Sequence, residues 1–377
     1  MARCRFGDVV KEIKNNIDRE NNPYDYYIAG GHMDSEELHI HRRGSFKTDD
    51  VGPAFIREFK KGQVLYGSRR TYLKKVAVAD FDGVTANTTF VLETKDEDVL
   101  LQSILPFVML SDSFTEWSIG KSKGSTNPYV LFSDLADYEF ELPPLEKQRT
   151  LAKLLWEIDS TKCSYKDLID KTDEVVKSQF IEMITEHSNG FKAIGDLVET
   201  KIEKVKDLPE FIHSIKYIDI SSLDNERKCV TGYTEYELSK SPSRAQQVIE
   251  KGDILLSTVR PNLEGRAVNQ YEGDNIVAST GFCILRAKKC EPAYIWGIIS
   301  SRQFVTDICE IAHGISYPAV SDKDILGYMA PDLDDQYQKQ YADILEQSDK
   351  SKFELQYVKR NVKEMIKCSQ KKIRLNR

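Results

Sequence analysis

A chain of 377 residues, of which 40% are hydrophobic and 30% charged, is long enough for roughly two or three globular domains, each with its own core. The longest apolar run, Ile104 to Leu110, is too short to cross a bilayer, and the first residues lack the apolar stretch of a signal peptide. We therefore expect a cytoplasmic protein with no membrane segment. The net charge of −7 argues mildly against a nucleic-acid coat protein, although an uneven charge distribution would weaken that argument.

The second half of the chain repeats the first at a shift of about 190 residues. The run 61–65 (KGQVL) aligns with 251–255 (KGDIL), and Gln148 aligns with Gln338. The shared positions are mostly glycine, proline and apolar residues, which fix turns and cores, whereas the divergent positions are mostly polar. Two copies of one scaffold therefore present two different surfaces. This arrangement suits a protein that recognises two different things better than one with a single catalytic site.

Each copy begins with a segment of about 140 residues that combines strand-like and helical patterns. Apolar runs typical of strands are separated by Gly- and Asp-containing turns, and short helical patterns lie between them. The strand-like runs are 64–66, 76–79, 89–92, 253–256 and 281–285, and the helical patterns are 97–110 and 294–311. The sequence therefore predicts mixed α/β segments at 1–144 and 188–332, each followed by a helical segment, at 145–187 and 333–377.

Each helical segment predicts one long helix that carries a heptad-like apolar stripe. Prolines mark the two starts, and Ser188-Asn189-Gly190 marks the end of the first helix. The residues of the two stripes are Leu154, Ile158, Tyr165, Leu168 and Val176, and Leu345, Leu355, Val362 and Ile366. We expect the two helices to pair as an antiparallel coiled coil, because the first helix must leave one domain and arrive at the other. About 40 residues make a rod of roughly 60 Å.

The strongest local charge lies in residues 42–75, which contain ten basic and three acidic residues. Such a patch is typical either of a nucleic-acid contact or of a solvated face. The residues that we place on a DNA face in the first copy are Arg42, Arg43, Lys47, Arg69, Arg70, Tyr72 and Lys74.

The repeat extends this prediction to other positions. In the second copy the equivalent turn carries Arg260, Asn262 and Arg266. The loops around Gly124 and Gly314 are candidates for groove contacts, and packing between helix and domain is the alternative. The loop residues are Lys123, Ser125 and Asn127 in the first copy, and His313, Ile315 and Tyr317 in the second.

Signatures of catalysis and of metal binding are weak. A phosphate-binding loop would need glycine where Thr115 stands, and no Gly-rich S-adenosylmethionine loop follows a strand. The seven cysteines include no C-x-x-C pair. His32, Asp34, His39 and His41 could bind a metal, but the second copy has no equivalent, and a polar surface strand is the simpler interpretation. We therefore expect no catalytic residue, no metal and no cofactor.

The runs 62–77 and 252–261 resemble the target-recognition domains of specificity subunits of type I restriction–modification systems. The run 142–149 resembles the start of the conserved helix in that family, whereas 331–336 departs from the usual form. The resemblance covers the whole chain in the family order of domain, helix, domain and helix. It implies an α/β (α+β) fold of two similar target-recognition domains joined by two long antiparallel coiled-coil helices.

The resemblance also implies a function. Each domain would read one half of a split double-stranded DNA site in the major groove, and the helices would dock two methyltransferase (modification) subunits. A restriction/translocase subunit would join the larger complex, and the chain itself would be non-catalytic. Two alternatives stay open at this point: a structural adaptor that binds only proteins, and an internally duplicated DNA methyltransferase or nuclease.

Overall fold

The computed structural model describes the backbone of residues 2–225, 227–314 and 317–371. Side chains are described within the same ranges from residue 3 to residue 356. The chain divides into two compact units, Met1–Lys166 with Gln356–Arg377, and Asp167–Leu355. In the described part of the chain, no helix is both long and apolar enough to cross a membrane.

In the first unit, the described residues 2–166 form ten strands, four short helices and the first part of a long one. Its elements are β1 (Ala2–Arg5), α1 (Phe6–Val9), β2 (Val10–Ile13), β3 (Tyr26–Ile28), β4 (Gly44–Ser45), β5 (Phe55–Phe59), β6 (Val64–Gly67), β7 (Val76–Val78), β8 (Gly83–Ala86), β9 (Thr89–Thr94), α2 (Leu105–Met109), α3 (Asp112–Lys121), α4 (Phe132–Ala136), β10 (Glu139–Leu142) and α5 (Leu145–His187).

The strands of the first unit form two four-stranded sheets and a ribbon. One sheet has the order β2-β9-β6-β7 and is antiparallel throughout. The other has the order β4-β3-β8-β5, in which β3 and β8 are parallel. In the ribbon, β1 pairs antiparallel with β10, so the start of the unit lies beside the strand that leads into α5.

The second unit contains the end of α5 and the following described elements. They are β11 (Ser188–Ala193), α6 (Ile194–Leu197), β12 (Ser214–Ile218), β13 (Leu223–Asp224), β14 (Cys229–Val230), β15 (Thr234–Glu237), β16 (Ala245–Val248), β17 (Ile254–Ser257), β18 (Arg266–Val268), β19 (Ile276–Ser279), β20 (Phe282–Leu285), α7 (Pro292–Ser300), α8 (Arg302–Glu310), α9 (Asp322–Leu326), β21 (Met329–Leu333) and α10 (Asp335–Lys371).

The sheets of the second unit repeat the internal plan of the first. The sheet β15-β12-β19-β16 contains one parallel pair, β12 with β19, at the place of β3 with β8. The sheet β13-β14-β18-β17-β20 has antiparallel β18-β17-β20 in the place of β7-β6-β9. A ribbon of β11 and β21 precedes α10. The predicted mixed α/β class is therefore confirmed in each unit.

In each unit one sheet is covered on both faces, which explains its continuous apolar strands. Val64 and Tyr66 of β6 pack into a core with α2, α3 and the first turns of α5, while Leu65 between them packs into a second core against β3 and β5. In the second unit, Leu256 of β17 packs into one core and its neighbour Leu255 packs into another, in the same way. Because strand side chains alternate in direction, both sets are buried.

Within the second unit, the end of α5 and the start of α10 lie side by side. Lys352 Nζ lies 2.8 Å from Asp173 Oδ1, and the Phe180 and Tyr341 rings are 4.8 Å apart. Residue numbers rise along α5 while those of the partners fall along α10, so the two described segments run antiparallel there. Val176 and Leu345 belong to the same hydrophobic cluster.

Two residues of the predicted stripe differ from expectation. Leu154 is 41% exposed and Leu168 is 49% exposed, whereas Ile158 and Val176 are buried. The structure thus contradicts the prediction that Leu154 and Leu168 lie in a buried seam. In its first turns, α5 turns the face of Leu151, Leu155 and Ile158 inward, and Leu151 and Leu155 pack into the core of the first unit, so Leu154 lies beside the buried face rather than on it. Val362 and Ile366 lie outside the residues whose side chains are described.

Candidate nucleic-acid interface

The turn after β6 combines exposed basic side chains with an unusual backbone. It contains a single 3₁₀ turn, Thr71–Leu73, flanked by Arg70 at φ 52° and Lys74 at φ 47°. A left-handed conformation at a residue other than glycine costs on the order of 1–3 kcal/mol, so two of them in one turn must be held by their surroundings. Such strain clusters at binding sites, where it fixes the direction of side chains.

Hydrogen bonds from the loop after α3 hold this turn. The Arg70 N–H donates to the Pro128 carbonyl at 2.7 Å, and the Val130 N–H donates to the Ser68 carbonyl at 2.9 Å. The loop itself is closed by the reciprocal backbone pair of Lys123 with Tyr129. Turn and loop were predicted as separate contacts, and the structure joins them into one surface.

The second unit builds the same turn from a different sequence. Its 3₁₀ turn, Pro261–Leu263, lies between Arg260 at φ 51° and Glu264 at φ 50°. The Arg260 N–H donates to the Pro318 carbonyl at 2.7 Å, as Arg70 does to Pro128. Two units with different surfaces thus keep one strained backbone, and an arginine stands at its first left-handed position in both.

The arginines of these turns are presented outward. Arg69 and Arg70 are exposed, and neither guanidinium has a carboxylate partner within ion-pair distance among the residues that the structure describes. Tyr72 beside them is 54% exposed. In the second unit, the guanidinium of exposed Arg260 lies 4.3 Å from the ring centre of Tyr317, a cation–π contact in which Tyr317 is itself 68% exposed.

Comparison with known proteins supplies the deciding observation. Residues 5–171 match the family model of the type I restriction modification DNA specificity domain. The chain is 25% identical over 318 residues to the MjaVIII type I restriction enzyme specificity subunit of Methanocaldococcus jannaschii, covering 77% of this chain and 72% of that protein. Residues 5–171 therefore belong to the type I restriction modification DNA specificity domain family, and the chain is similar to type I specificity subunits over most of its length.

Two further comparisons show similarity to proteins of the same kind. The EcoDI specificity subunit of Escherichia coli is 26% identical over 167 residues, which cover 44% of this chain and 35% of that protein. The solved type I restriction–modification S subunit from M. genitalium superposes with a TM-score of 0.56 at 14% identity, over 100% of this chain and 96% of that one. The latter likeness shows a shared fold.

The structure contradicts two of the predicted DNA contacts, Arg266 and Lys74. Arg266 is only 3% exposed, and its Nη1 lies 3.0 Å from Glu264 Oε2. Lys74 Nζ lies 2.8 Å from Asp112 Oδ1 and 3.4 Å from Glu36 Oε1. Burial alone lowers the pKa of Lys74, but these carboxylates outweigh burial and raise it. Both side chains therefore support the fold rather than offer a free cation to DNA.

Other predicted basic residues are exposed but have partners. Lys47 Nζ lies 2.8 Å from Asp25 Oδ1, and Lys123 Nζ lies 3.0 Å from Asp134 Oδ2. The guanidinium of Arg43 lies 3.8 Å from the ring centre of Tyr26. Arg42 forms an ion pair with Asp34. Exposed ion pairs are weak, so these residues can exchange their partners for phosphate, and their DNA contacts stay predictions.

The uncharged members of the predicted set lie at or near the same surface. Ser125, Asn262 and His313 are exposed, and Asn127 is half-buried in the loop that follows Gly124. Ile315 lies outside the described residues. Lys228 was not among the predicted residues but lies beside the second turn, where its Nζ donates to the Glu264 carbonyl at 2.9 Å. Burial, together with nearby Arg266, lowers the pKa of Lys228 to about 8.

The structure does not bring together the four residues that the sequence suggested as metal ligands, which are His32, Asp34, His39 and His41. The His32 Nδ1 accepts a hydrogen bond from the Ala29 N–H, Asp34 pairs with Arg42, and the His39 and His41 rings are 6.4 Å apart.

His39 instead meets the long helix. Its Nε2 lies 3.0 Å from Asp159 Oδ2, and the hydrogen bonds to Asp159 and then Cys163 raise the pKa of His39 to about 10. Burial alone raises the pKa of Asp159, but His39 and Lys162 together lower it. The sequence offered one sign of this contact, the spacing of Asp159 and Cys163 by one helical turn, but that spacing does not show which residue they contact.

Proposed function

We propose that this chain is the non-catalytic DNA-recognition subunit of a type I restriction–modification complex. Each unit reads one half of a split double-stranded target, and the long helices dock the modification (methyltransferase) subunits. A restriction/translocase subunit completes the complex, which works in the cytoplasm. We assign the recognition domains to residues 1–144 and 188–332, and the helices to 145–187 and 333–377.

The observation that carries this proposal is the repeated strained turn with its exposed arginine. Arg70 and Arg260 occupy the same backbone position, with φ values of 52° and 51°. Their neighbours differ, since Tyr72 corresponds to Asn262. A fixed backbone that carries a common cation and variable neighbours suits DNA reading, in which phosphate contacts position a protein and base contacts specify the sequence.

Exposed apolar residues on the helix of the second unit support the docking role. Leu168 is 49% exposed, Val175 is 60% exposed and Ile181 is 50% exposed along α5, and Phe353 of α10 is 72% exposed. Leu168 and Val175 are two helical turns apart and so lie on one face of α5, and an apolar face left exposed is typical of a protein contact. The helices therefore keep apolar side chains exposed that their own packing does not bury, and these are available to partner subunits.

Exchange of one recognition domain tests the proposal. Residues 188–332 are replaced by those of a relative with a different target, the chimera is assembled with its modification subunit, and methylated adenines are mapped in a genome. We expect one half of the methylated site to change and the other half to stay, because each domain reads separately. A reciprocal exchange of residues 1–144 is the matched control and should change only the other half.

Two outcomes would contradict the proposal. A change in both halves, or in neither, would reject separate reading by two domains. Stoichiometric binding of S-adenosylmethionine by the isolated chain would reject the non-catalytic role and favour a duplicated methyltransferase.

A further inference from the structure

Four side chains with metal-binding chemistry converge in the first unit. Glu37 and His39 belong to the segment between β3 and β4, and Asp159 and Cys163 lie one turn apart on α5. One donor atom from each lies within 4.8 Å of all the others. Carboxylate oxygen, imidazole nitrogen and thiolate sulfur are the donors that Zn²⁺ takes in proteins, usually four in a tetrahedron.

Lys162 contacts one oxygen of each carboxylate and leaves the other oxygen of each to face the cluster. Its Nζ lies 2.8 Å from Asp159 Oδ1 and 3.4 Å from Glu37 Oε2. The other oxygens face the imidazole and the thiol: Asp159 Oδ2 lies 3.0 Å from His39 Nε2, and Glu37 Oε1 lies 3.7 Å from Cys163 Sγ. Lysine therefore takes the place that an outer hydrogen-bond partner has around metal-binding carboxylates.

We propose that Glu37, His39, Asp159 and Cys163 form a Zn²⁺ site that fastens the segment between β3 and β4 to α5. The metal binds Glu37 Oε1, His39 Nε2, Asp159 Oδ2 and Cys163 Sγ. The protons on Sγ and Nε2 leave to solvent, and no redox change is involved. Zn–ligand bonds of about 2.0–2.3 Å place tetrahedral ligands about 3.3–3.8 Å apart, so the donors need to approach by about 1 Å.

The surroundings of the cluster suit capture of a cation. Glu37 and Asp159 are buried, at 7% and 2% exposed, and their carboxylates are held in place by Lys162. The His39 side chain is 45% exposed, which leaves a path for the metal from solvent. The two buried carboxylates hold the site in place, and the exposed histidine lets a metal ion enter from solvent.

The second unit cannot form the same site at the aligned positions. At the shift of about 190 residues, Arg227 stands in the place of Glu37 and Phe353 in the place of Cys163. Neither side chain is a zinc ligand. The site therefore belongs to the first recognition unit alone, and the inference does not depend on what that unit binds.

Cobalt titration of the full-length chain tests the site. Co²⁺ is added anaerobically to reduced, chelator-treated protein, and the thiolate-to-cobalt charge-transfer absorption is followed. We expect saturation at one Co²⁺ per chain and its displacement by Zn²⁺. Cys163→Ser should lose the charge-transfer band, and His39→Gln should weaken cobalt binding at least tenfold. Cys229→Ser and His41→Gln, which alter a cysteine and a histidine outside the cluster, are the matched controls and should bind as the wild type does.

A second measurement separates loss of the site from loss of the fold. Zn²⁺ should raise the melting temperature of the wild type, because a ligand that binds only the folded state stabilises it. Cys163→Ser should melt like the metal-free wild type but show no rise with Zn²⁺. Absence of the charge-transfer band at one equivalent, or its persistence in Cys163→Ser, would overturn the proposal.

Discussion

At the scale of single residues, the predicted basic residues fall into two groups: exposed cations without a carboxylate partner, and cations that pair with a carboxylate inside the fold. Arg70 and Arg260 extend from equivalent strained turns, whereas Arg266 is buried against Glu264. Lys74 likewise bridges two carboxylates. A cation that is already neutralised inside the fold contributes to stability, while an unpaired and exposed cation is free to meet phosphate or a base edge. This distinction leads to different expectations for neighbouring substitutions.

Substitution of the exposed arginines should weaken DNA recognition. We expect Arg70→Ala, or Arg69→Ala, to cost about 1–3 kcal/mol in binding of the assembled complex to its target, as for a lost arginine contact to guanine. Equilibrium binding at fixed salt measures this loss. The control is Arg149→Ala on α5, an exposed arginine paired with Glu146. Wild-type affinity in both turn variants would show that the assignment is wrong.

Lys74→Ala should behave differently from these variants. Because its ammonium is held by Asp112 and Glu36, its loss should lower the free energy of unfolding and leave the salt dependence of DNA binding unchanged. Denaturant unfolding and binding at several salt concentrations measure the two effects. A reduced salt slope with unchanged stability would restore Lys74 to the DNA face.

The contact of His39 with Asp159 should make the metal-free protein less stable as pH rises. The pKa of His39 is raised to about 10, above the value of about 6.5 for an unfolded histidine. Its stabilising contribution is therefore complete below about pH 6.5 and is lost between about pH 6.5 and 10. The difference in unfolding free energy between wild type and His39→Gln, measured in chelator, should shrink over that range. A difference that grows with pH would contradict this expectation.

At the scale of elements, each long helix is attached to its unit by one buried glutamine. The Gln148 side chain donates to the carbonyls of Pro143 and Val99, at 2.9 and 2.8 Å, and accepts from the Leu101 N–H at 3.0 Å. Gln338 does the same in the second unit, donating to the Leu333 carbonyl and accepting from the Glu291 N–H. The repeated glutamine thus fixes where the helix leaves the unit.

Removal of this amide should destabilise the first unit. Gln148→Leu leaves backbone groups without a partner, and each unsatisfied buried group costs about 1–3 kcal/mol. Denaturant unfolding should therefore show a loss of at least that size. Lys147→Gln, at the exposed neighbouring position, should stay within about 0.5 kcal/mol of the wild type. Equal stability of the two variants would show that the amide contacts are unimportant.

At the scale of the whole molecule, the two units repeat one sheet plan and differ at their surfaces, and α5 runs unbroken for 43 residues. If the helices set the distance between two readers, they act as a ruler. Deletion of residues 165–171, together with one matching heptad of α10, removes about 10 Å of helix. We expect the spacer of the methylated site to shorten by about three base pairs, or methylation to fail, because a base pair rises about 3.4 Å.

The deletion has a clear control. Removal of the heptad from α5 alone should abolish methylation, because the apolar stripes of the two helices no longer match. Methylation at the original spacing and with full activity after the paired deletion would show that the helices do not set the distance.

The sequence by itself determined the features that depend on local chemistry. The shift of about 190 residues predicted two similar units, and the structure has the same parallel strand pair in each. Proline before Leu145 and glycine at 190 indicated the ends of α5, which the structure places at Leu145 and His187. Periodicity, prolines and glycines act on the backbone over a few residues, so they can be read from the order of residues alone.

Only the tertiary structure decided which charges are free and which are bound. Lys74 meets Asp112, and His39 meets Asp159 at a separation of 120 residues, while Leu168, which the stripe predicted to be buried, is exposed. The energy of an ion pair or a metal site depends on distances through space and on burial, and neither quantity follows from spacing along the chain. The basic patch was therefore visible in the sequence, but its division into a strained, outward-facing arginine turn and a set of internally neutralised cations was not.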